Sequence, residues 1–310
     1  MIETWQQNLP HGITLSCRTC GERGRPVLLF MHGFPEAAFV WDALLEHFAR
    51  PENGGYRCVA PNLRGYEHSS APADVKDYRP KHLVQDMQAL IAIESPGAPL
   101  AALVAHDWGG AVAWNLANQH PQHLRRLVII NSPHPGTFLR ELQHNPAQQA
   151  ASAYMNFLIR PDAARLLAAE GYARLFGFFE KMGAASPPGS PGAPIGAGWL
   201  TEAMRARYRA VWDLGLDGGL NYYRASPLRP ATAQDPAAQA VSLPPEAMRI
   251  DLPTLVLWAQ DDVALLPALC DGLQAHVPDL KLVPLPQATH WVVHEQPERV
   301  AAEIGAFLAQ

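Results

Sequence analysis

Cysteine is scarce in this sequence, and long apolar runs are missing. Four of the 310 residues are cysteine, at positions 17, 20, 58 and 270. Cys17 and Cys20 form one C-x-x-C pair, but no second pair is present to complete four zinc ligands. We therefore interpret them as small side chains on a strand and its turn, with a redox or metal site as the alternative. Scarce cysteine is typical of a reduced, cytoplasmic chain, and no apolar stretch reaches the roughly 20 residues that span a bilayer.

Positive charge is also in short supply. Lys and Arg together number 24 against 29 Asp and Glu, which gives a formal net charge of −5, and no long basic run is present. Both facts argue against nucleic-acid binding. The first residues, MIETW, lack the basic start and apolar stretch of a secretory signal, so we expect a cytoplasmic protein. Apolar residues make up 48% of the chain and charged residues 17%, which predicts a large buried core.

Short apolar runs alternate with helical patterns in the first and last parts of the chain. The predicted strands are 12–20, 27–31, 56–60, 100–105, 127–130, 252–259 and 280–285. The predicted helices are 41–50, 82–93, 111–119, 265–275 and 297–308. Continuous apolar runs such as VLLFM at 27–31 are typical of strands buried on both faces, and the alternation predicts a parallel sheet with helices on both sides.

The alternation breaks in the middle of the chain. Residues 134–245 contain helical patterns and no convincing buried strand, so we predict a helical insertion there. The core would then consist of residues 1–133 and 246–310. Within the insertion, 184–198 is rich in Pro, Gly and Ser and is predicted to be a surface loop. That loop either shapes access for a substrate or is a tolerated lengthening of the chain.

The stretch Ala105-His106-Asp107-Trp108-Gly109 matches a nucleophile elbow. A predicted strand runs directly into a tight turn and a helix, and the small-x-nucleophile-x-Gly pattern thrusts its third residue outward. That residue is Asp107, at a helix N-terminus where backbone N–H groups and the dipole favour negative charge. A carboxylate can displace a leaving group from an sp³ carbon and become an alkyl ester. The alternative is an Asp that only caps the helix.

Hydrolysis of such an ester requires a base that activates water and an acid that orients the base. His290 follows the last predicted strand, and Asp261 and Asp262 follow the strand before it. The chain order of nucleophile, acid and histidine is that of an α/β-hydrolase. We favour Asp262 as the acid because it lies four residues after Trp258, with Asp261 as its solvated neighbour. The position after the preceding strand, near Asn131, carries no charge.

Several longer motifs carry a family resemblance across nearly the whole chain. They are HGFPE (32–36), Trp41, PNLRGY (61–66), HDWGG (106–110), NSPHP (131–135), NYYR (221–224) and THWVVHEQPERV (289–300). The chain resembles the epoxide hydrolase branch of the α/β-hydrolase superfamily, and HDWGG with HGFPE is shared with haloalkane dehalogenases. The resemblance implies an α/β fold with an eight-stranded, mostly parallel sheet, helices on both faces and an inserted helical cap.

The resemblance also implies roles for residues outside the triad. The N–H groups of Phe34 and Trp108 would form an oxyanion hole for the carbonyl oxygen of the Asp107 ester. Tyr223 and, less securely matched, Tyr154 would donate from the cap to the epoxide oxygen, with Tyr222 as the donor if the register is shifted by one. A phenol suits this task because ring opening produces an alkoxide, a poor leaving group. His32 and His106 are expected to be structural.

The predicted reaction is conversion of an apolar epoxide and water to a vicinal diol through an aspartyl ester. It requires no metal or organic cofactor, and we expect a monomer or homodimer that binds neither nucleic acid nor membrane. The alternative enzyme is a haloalkane dehalogenase, in which the Trp108 indole would bind halide. A fluoroacetate-type dehalogenase is disfavoured because no Arg pair stands beside the elbow. A non-catalytic small-molecule receptor on the same fold is the remaining alternative.

Overall fold

An eight-stranded sheet forms the core of the computed structural model, which describes residues 1–184 and 193–310. Its strands, in chain order, are β1 Glu3–Asn8, β2 Thr14–Cys20, β3 Val27–Met31, β4 Arg57–Pro61, β5 Ala102–His106, β6 Leu127–Ile130, β7 Thr254–Ala259 and β8 Leu280–Leu285. The spatial order is β1-β2-β4-β3-β5-β6-β7-β8. Strand β2 runs antiparallel to β1 and β4, and all pairs from β4 to β8 are parallel. The predicted fold class is confirmed.

The central strands are buried along their whole length, which explains their uninterrupted apolar sequences. Their register brings their carboxyl ends to one edge of the sheet. Met31 pairs with Ala105, His106 with Ile130, and Ile130 with Leu257. The segments that follow these strands therefore meet at this edge, where ligands of open α/β sheets bind.

Helices cover the sheet and fill the stretch between β6 and β7. They are α1 Asp42–Ala49, α2 Pro80–Glu94, α3 Asp107–Gln119, α4 Pro135–His144, α5 Pro146–Ala151, α6 Tyr154–Leu158, α7 Ala163–Phe179, α8 Glu202–Trp212, α9 Asp217–Ala225, α10 Val292–Glu295 and α11 Pro297–Leu308. Helices α4 to α9 lie in the predicted helical insertion, 134–245. Part of the predicted loop at 184–198 lies outside the described residues. In the ranges 1–184 and 193–310, no helix is long and apolar enough to cross a bilayer.

Three elements differ from the sequence prediction. Strand β1 was not predicted, because ETWQQN is polar and lies half exposed at the edge of the sheet. The predicted helix 265–275 is wrong: two short 3₁₀ turns, Pro267–Cys270 and Leu273–Ala275, replace it. Gly272 separates them with a φ of 71°, which ends any continuous helix. Helix α3 begins at Asp107, four residues earlier than expected.

Candidate active site

Asp107 occupies a strained turn between β5 and α3. Its φ is 49°, unusual for a residue with a side chain. The turn needs close backbone approaches, because a Cβ on Gly33 would lie 2.1 Å from Asp107 Oδ1, and one on Gly109 would lie 2.5 Å from the Met31 carbonyl oxygen. The Ser132 hydroxyl donates to the Asp107 backbone carbonyl at 2.7 Å. This is the geometry of a nucleophile elbow, which aims the carboxylate away from the sheet.

One oxygen of the Asp107 carboxylate is already held by a backbone donor. The Phe34 N–H donates to Asp107 Oδ1 at 2.8 Å. The side chain of Asp107 is 13% exposed, so this hydrogen bond forms in a largely water-free environment. The Trp108 N–H, on the residue after the nucleophile position, stays the predicted second donor.

His290 lies between the two carboxylates that the sequence associated with it. Its Nδ1 is 2.7 Å from Asp262 Oδ2, and its Nε2 is 3.8 Å from Asp107 Oδ2. The first distance is a hydrogen bond and the second is too long for one. Asp261 is exposed, whereas Asp262 is buried. The structure therefore brings Asp107, His290 and Asp262 together and leaves Asp261 in solvent.

Four hydrogen bonds fix the Asp262 carboxylate. Its Oδ1 accepts from the N–H groups of Ala264 and Leu265, both at 2.9 Å, and its Oδ2 accepts from His290 and from Asn131 Nδ2 at 2.8 Å. Burial alone would raise the pKa of Asp262, but the charge of His290 and these hydrogen bonds hold that pKa below its usual range. Asp262 is therefore an anion oriented toward His290. Asn131, which the sequence analysis did not consider as the acid because it is uncharged, helps to orient the Asp262 carboxylate.

The environment of His290 favours its protonated form in the resting enzyme. Burial lowers the pKa of this histidine, but the neighbouring Asp262 carboxylate, with a smaller contribution from Asp107, raises it to about 9. As long as Asp107 is an unmodified carboxylate, the His290 imidazolium thus faces two anions, Asp107 and Asp262. Any step that neutralises Asp107 removes one of the charges that raise this pKa.

Sequence reasoning missed a buried carboxylate behind His290. Glu36 Oε1 accepts from the Tyr208 hydroxyl at 2.8 Å and lies 2.7 Å from His294 Nε2, and its Oε2 lies 3.3 Å from His106 Nδ1. Burial would raise the pKa of Glu36, but the adjacent imidazoles of His106 and His294, the second at hydrogen-bond distance, hold that pKa well below its usual range. His106 Nε2 donates to the His290 carbonyl oxygen at 2.9 Å. Glu36, His106 and His294 each lie within a separate sequence motif, but nothing in the sequence connects them to one another or to Tyr208.

Two tyrosines of the helical insertion face the same space as Asp107. Tyr154 begins α6 and Tyr223 lies in α9, with their ring centroids 6.3 Å apart. Burial, and to a lesser extent the charge of Asp107, raises the pKa of both phenols, so both stay protonated donors. Tyr222 is occupied elsewhere, since its hydroxyl donates to the Arg64 carbonyl oxygen at 2.9 Å. Of the two adjacent tyrosines, Tyr223 is thus the better candidate donor, because its hydroxyl interacts with the side chains of Trp108 and Tyr154 in the same space.

A cavity of about 220 Å³ joins these groups. Its polar lining includes Asp107, Tyr154 and Tyr223, and its apolar lining includes Trp108, Leu83, Val112, Phe138, Met155, Leu228 and Leu265. Within the described ranges, no group of three or more His, Cys, Asp or Glu side chains is placed to hold a metal ion. The arrangement can carry out nucleophilic attack by a carboxylate on a small apolar molecule, followed by base-assisted attack of water.

Comparison with known proteins shows what this chain resembles in sequence and overall fold. The family model described as alpha/beta hydrolase fold matches residues 26–297. Epoxide hydrolase 3 of Xenopus tropicalis is 30% identical over 96% of this chain and 76% of that protein. The structure of Bacillus megaterium epoxide hydrolase with an inhibitor is 28% identical, with a TM-score of 0.84 over 99% of this chain and 100% of that one. An epoxide hydrolase from metagenomes of hot environments is 34% identical, with a TM-score of 0.79 over 99% of each chain.

Proposed function

The chain belongs to the alpha/beta hydrolase fold family and, within it, to the epoxide hydrolases, and we propose which of its residues convert an epoxide and water to a vicinal diol. The observation that carries the proposal is the cavity that Asp107 shares with two protonated tyrosines, Tyr154 and Tyr223. In this proposal the helical insertion, 134–245, forms a cap over the nucleophile. Its cavity lining is mostly apolar, which favours apolar epoxides.

In the first half of the reaction, Asp107 opens the ring. Asp107 Oδ1 is engaged by the Phe34 N–H, so Oδ2 is the oxygen free to attack a ring carbon. The new bond forms between Oδ2 and that carbon as the ring C–O bond breaks. The electron pair of the broken bond moves to the ring oxygen, which receives a hydrogen bond and then a proton from Tyr154 or Tyr223. The product of this half is a glycol monoester on Asp107.

In the second half, water hydrolyses the ester. His290 takes a proton from water, and the hydroxide attacks the ester carbonyl carbon of Asp107. Negative charge then develops on Oδ1, where the Phe34 N–H already donates and the Trp108 N–H is the predicted second donor. The bond between the carbonyl carbon and Oδ2 breaks, the diol leaves with that oxygen, and the proton held by His290 neutralises it. The carboxyl proton now on Asp107 passes to the tyrosinate left by the first half, which restores the Asp107 carboxylate and the phenol. Asp262 keeps the imidazole aligned throughout.

The tyrosines favour an epoxide over a haloalkane as the substrate. A departing halide needs N–H donors and no proton, whereas an alkoxide needs a proton source. The four cysteines are free thiols, which is consistent with the predicted cytoplasmic location. A panel of terminal and internal epoxides, assayed beside short haloalkanes, tests the assignment. Diol formation without halide release supports it, and halide release without diol formation contradicts it.

Substitution of Tyr223 by phenylalanine is expected to lower kcat for epoxide opening by roughly 10- to 100-fold, because one of two donors to the alkoxide is lost. Tyr154→Phe is expected to act in the same direction, and the double variant more strongly than either. The matched control is Tyr222→Phe, which removes the hydrogen bond to Arg64 and should affect thermal stability rather than ring opening. Rapid-quench measurement of ester formation checks all four proteins. An unchanged rate in the double variant would rule out the tyrosines as donors.

The rate of ester hydrolysis is expected to rise with pH. His290 accepts a proton from water only when neutral, and its pKa is about 9 while Asp107 is charged. Esterification removes the charge of Asp107, so the pKa that governs hydrolysis should lie below that value. Single-turnover decay of the ester, followed between about pH 5 and pH 10, should therefore increase and reach a plateau. A decay rate that falls as pH rises would be inconsistent with His290 as the base.

A further inference from the structure

Two adjacent glycines lie in the first turn of α9, the helix that carries Tyr223. Gly218 and Gly219 follow Asp217, where the helix begins, and both are buried. Glycine disfavours a helix because its backbone loses the most conformational freedom on folding. Neither residue has the positive φ that favours glycine, since the glycines with positive φ in the described chain are at other positions. Close packing, rather than backbone conformation, therefore explains the pair.

Gly218 packs directly against the backbone of Gly65, in the loop that follows β4. A Cβ on Gly218 would lie 2.2 Å from the Gly65 carbonyl oxygen and 2.4 Å from its Cα, and a Cβ on Gly65 would lie 2.7 Å from the Gly218 Cα. Gly65 also has a φ of 88°, which a residue with a side chain rarely adopts. A side chain at either position would force α9 and the core apart, so these two glycines set the distance between them.

The loop that contains Gly65 is held firmly to the core. The Arg64 guanidinium donates two hydrogen bonds to the Asp86 carboxylate, at 2.8 and 2.6 Å, and both side chains are buried. The Gly65 N–H donates to the Ser70 carbonyl oxygen at 2.9 Å. A methyl group added at Gly218 needs about 1 Å of extra separation to reach ordinary van der Waals contact. Because the loop is fixed, α9 must supply that separation.

The two glycines of α9 are each followed, one turn later, by a tyrosine on the same face of the helix. Gly218 and Tyr222 face the core loop, where the Tyr222 hydroxyl also forms its hydrogen bond. Gly219 and Tyr223 face Phe34: a Cβ on Gly219 would lie 2.9 Å from Phe34 Cδ2, and the Tyr223 ring packs edge-on against the Phe34 ring with centroids 5.4 Å apart. The position of Tyr223 therefore depends on how deeply α9 rests on the core.

We propose that Gly65 and Gly218 are positioning residues for ring opening, because their contact seats α9 at the depth that brings the Tyr223 hydroxyl to the epoxide oxygen. The inference rests on the proposed role of Tyr223 as a donor. A displacement of about 1 Å would lengthen that hydrogen bond beyond its normal range, and a misplacement of this size can cost about 10²-fold in rate. Tyr154 belongs to a different helix, α6, so its hydroxyl does not rely on the glycine contact.

Gly218→Ala is expected to slow ester formation by about tenfold, because Tyr223 is displaced while Tyr154 still donates. Hydrolysis of the ester, which relies on His290, should stay within about twofold of the wild-type rate. Rapid-quench and single-turnover measurements separate these two steps. Gly177→Ala is the matched control: it adds the same methyl group to another helix of the insertion, α7, where the Cβ would meet no heavy atom within 4 Å apart from its own helix backbone. Both rates should be unchanged in that variant.

Combination with the tyrosine variants separates positioning from a general loss of stability. In the Tyr223→Phe background, Gly218→Ala should slow ester formation by less than about a further twofold, because the donor that it displaces is already absent. In the Tyr154→Phe background, Tyr223 is the remaining donor, and Gly218→Ala should cost about tenfold or more. Equal losses in the two backgrounds would overturn the proposal.

Gly219→Ala keeps the test decisive if Gly218→Ala does not fold. Its Cβ would meet the side chains of Phe34 and Tyr66, at 2.9 and 3.1 Å, rather than backbone. Side chains yield more readily, so we expect a loss of about threefold in ester formation, again absent in the Tyr223→Phe background. An unchanged rate of ester formation in whichever variant folds, or equal slowing of both steps, would also overturn the proposal. If the wild-type enzyme forms the ester, the proposed function survives that result; if it forms none from any epoxide, the proposed function itself fails.

Discussion

Replacement of Asp107 by asparagine is expected to lower kcat/KM for epoxide hydrolysis by roughly 10⁴-fold or more, because a neutral amide cannot supply the attacking oxygen anion. Asparagine is chosen because it tolerates a positive φ better than most residues, and Asp107 has a φ of 49°. Its carbonyl oxygen can also keep the hydrogen bond from the Phe34 N–H. Steady-state diol formation is the measurement, with thermal unfolding to verify the fold.

Asp261→Asn provides the matched control for this variant. Asp261 is an exposed aspartate beside the proposed triad acid, so its loss should change kcat/KM by less than about twofold. Substantial residual activity in Asp107→Asn would exclude Asp107 as the nucleophile, whatever the activity of Asp261→Asn. It would return Asp107 to the role of a residue that only caps α3 (Asp107–Gln119).

Replacement of His290 by glutamine is expected to stop the reaction halfway. Asp107 can still open the ring, since that step needs no base, but water is no longer activated and the ester persists. Turnover should fall by roughly 10³-fold or more, while a protein species heavier by one substrate mass accumulates. Intact-protein mass spectrometry after mixing with an epoxide detects that species, and peptide mapping assigns it to Asp107.

His68→Gln is the control for this second variant. His68 is exposed on the surface, so its substitution should neither slow turnover nor trap an adduct. If His290→Gln loses turnover and forms no adduct, His290 acts before or during ring opening. That result would contradict the division of the reaction into an aspartate step and a histidine step.

The residues that carry the proposed chemistry could be found in the sequence because each follows a strand of the parallel sheet, and the strands before Asp107 and Asp262 are buried on both faces. Continuous apolar runs mark such strands, and polar residues directly after them must lie at one edge of the sheet. Asp107, Asp262 and His290 lie in the segments after β5 (Ala102–His106), β7 (Thr254–Ala259) and β8 (Leu280–Leu285), and the parallel register from β5 to β8 brings these segments to the same edge. Their chain order then identified the nucleophile, acid and base.

Other features depend on contacts that periodicity does not reveal. Asn131 and Asp262 are 131 residues apart in sequence, and only the folded chain shows that the amide donates to the carboxylate. Glu36 was visible as part of a motif, but its partners Tyr208 and His294 come from distant segments. The helix predicted over 265–275 is wrong for a local reason. The apolar residues there have helical spacing, but Gly272 breaks the segment into two short turns.

A single turnover in water enriched in oxygen-18 tests the central claim most directly, with enzyme in excess over epoxide. If an Asp107 ester forms, the labelled water attacks the ester carbonyl, and the diol leaves with an oxygen that came from the carboxylate. The first-turnover diol should then be unlabelled, and the peptide that contains Asp107 should carry one oxygen-18 atom. Label in the first-turnover diol and none in that peptide would mean that water attacks the epoxide directly, and would contradict the covalent mechanism.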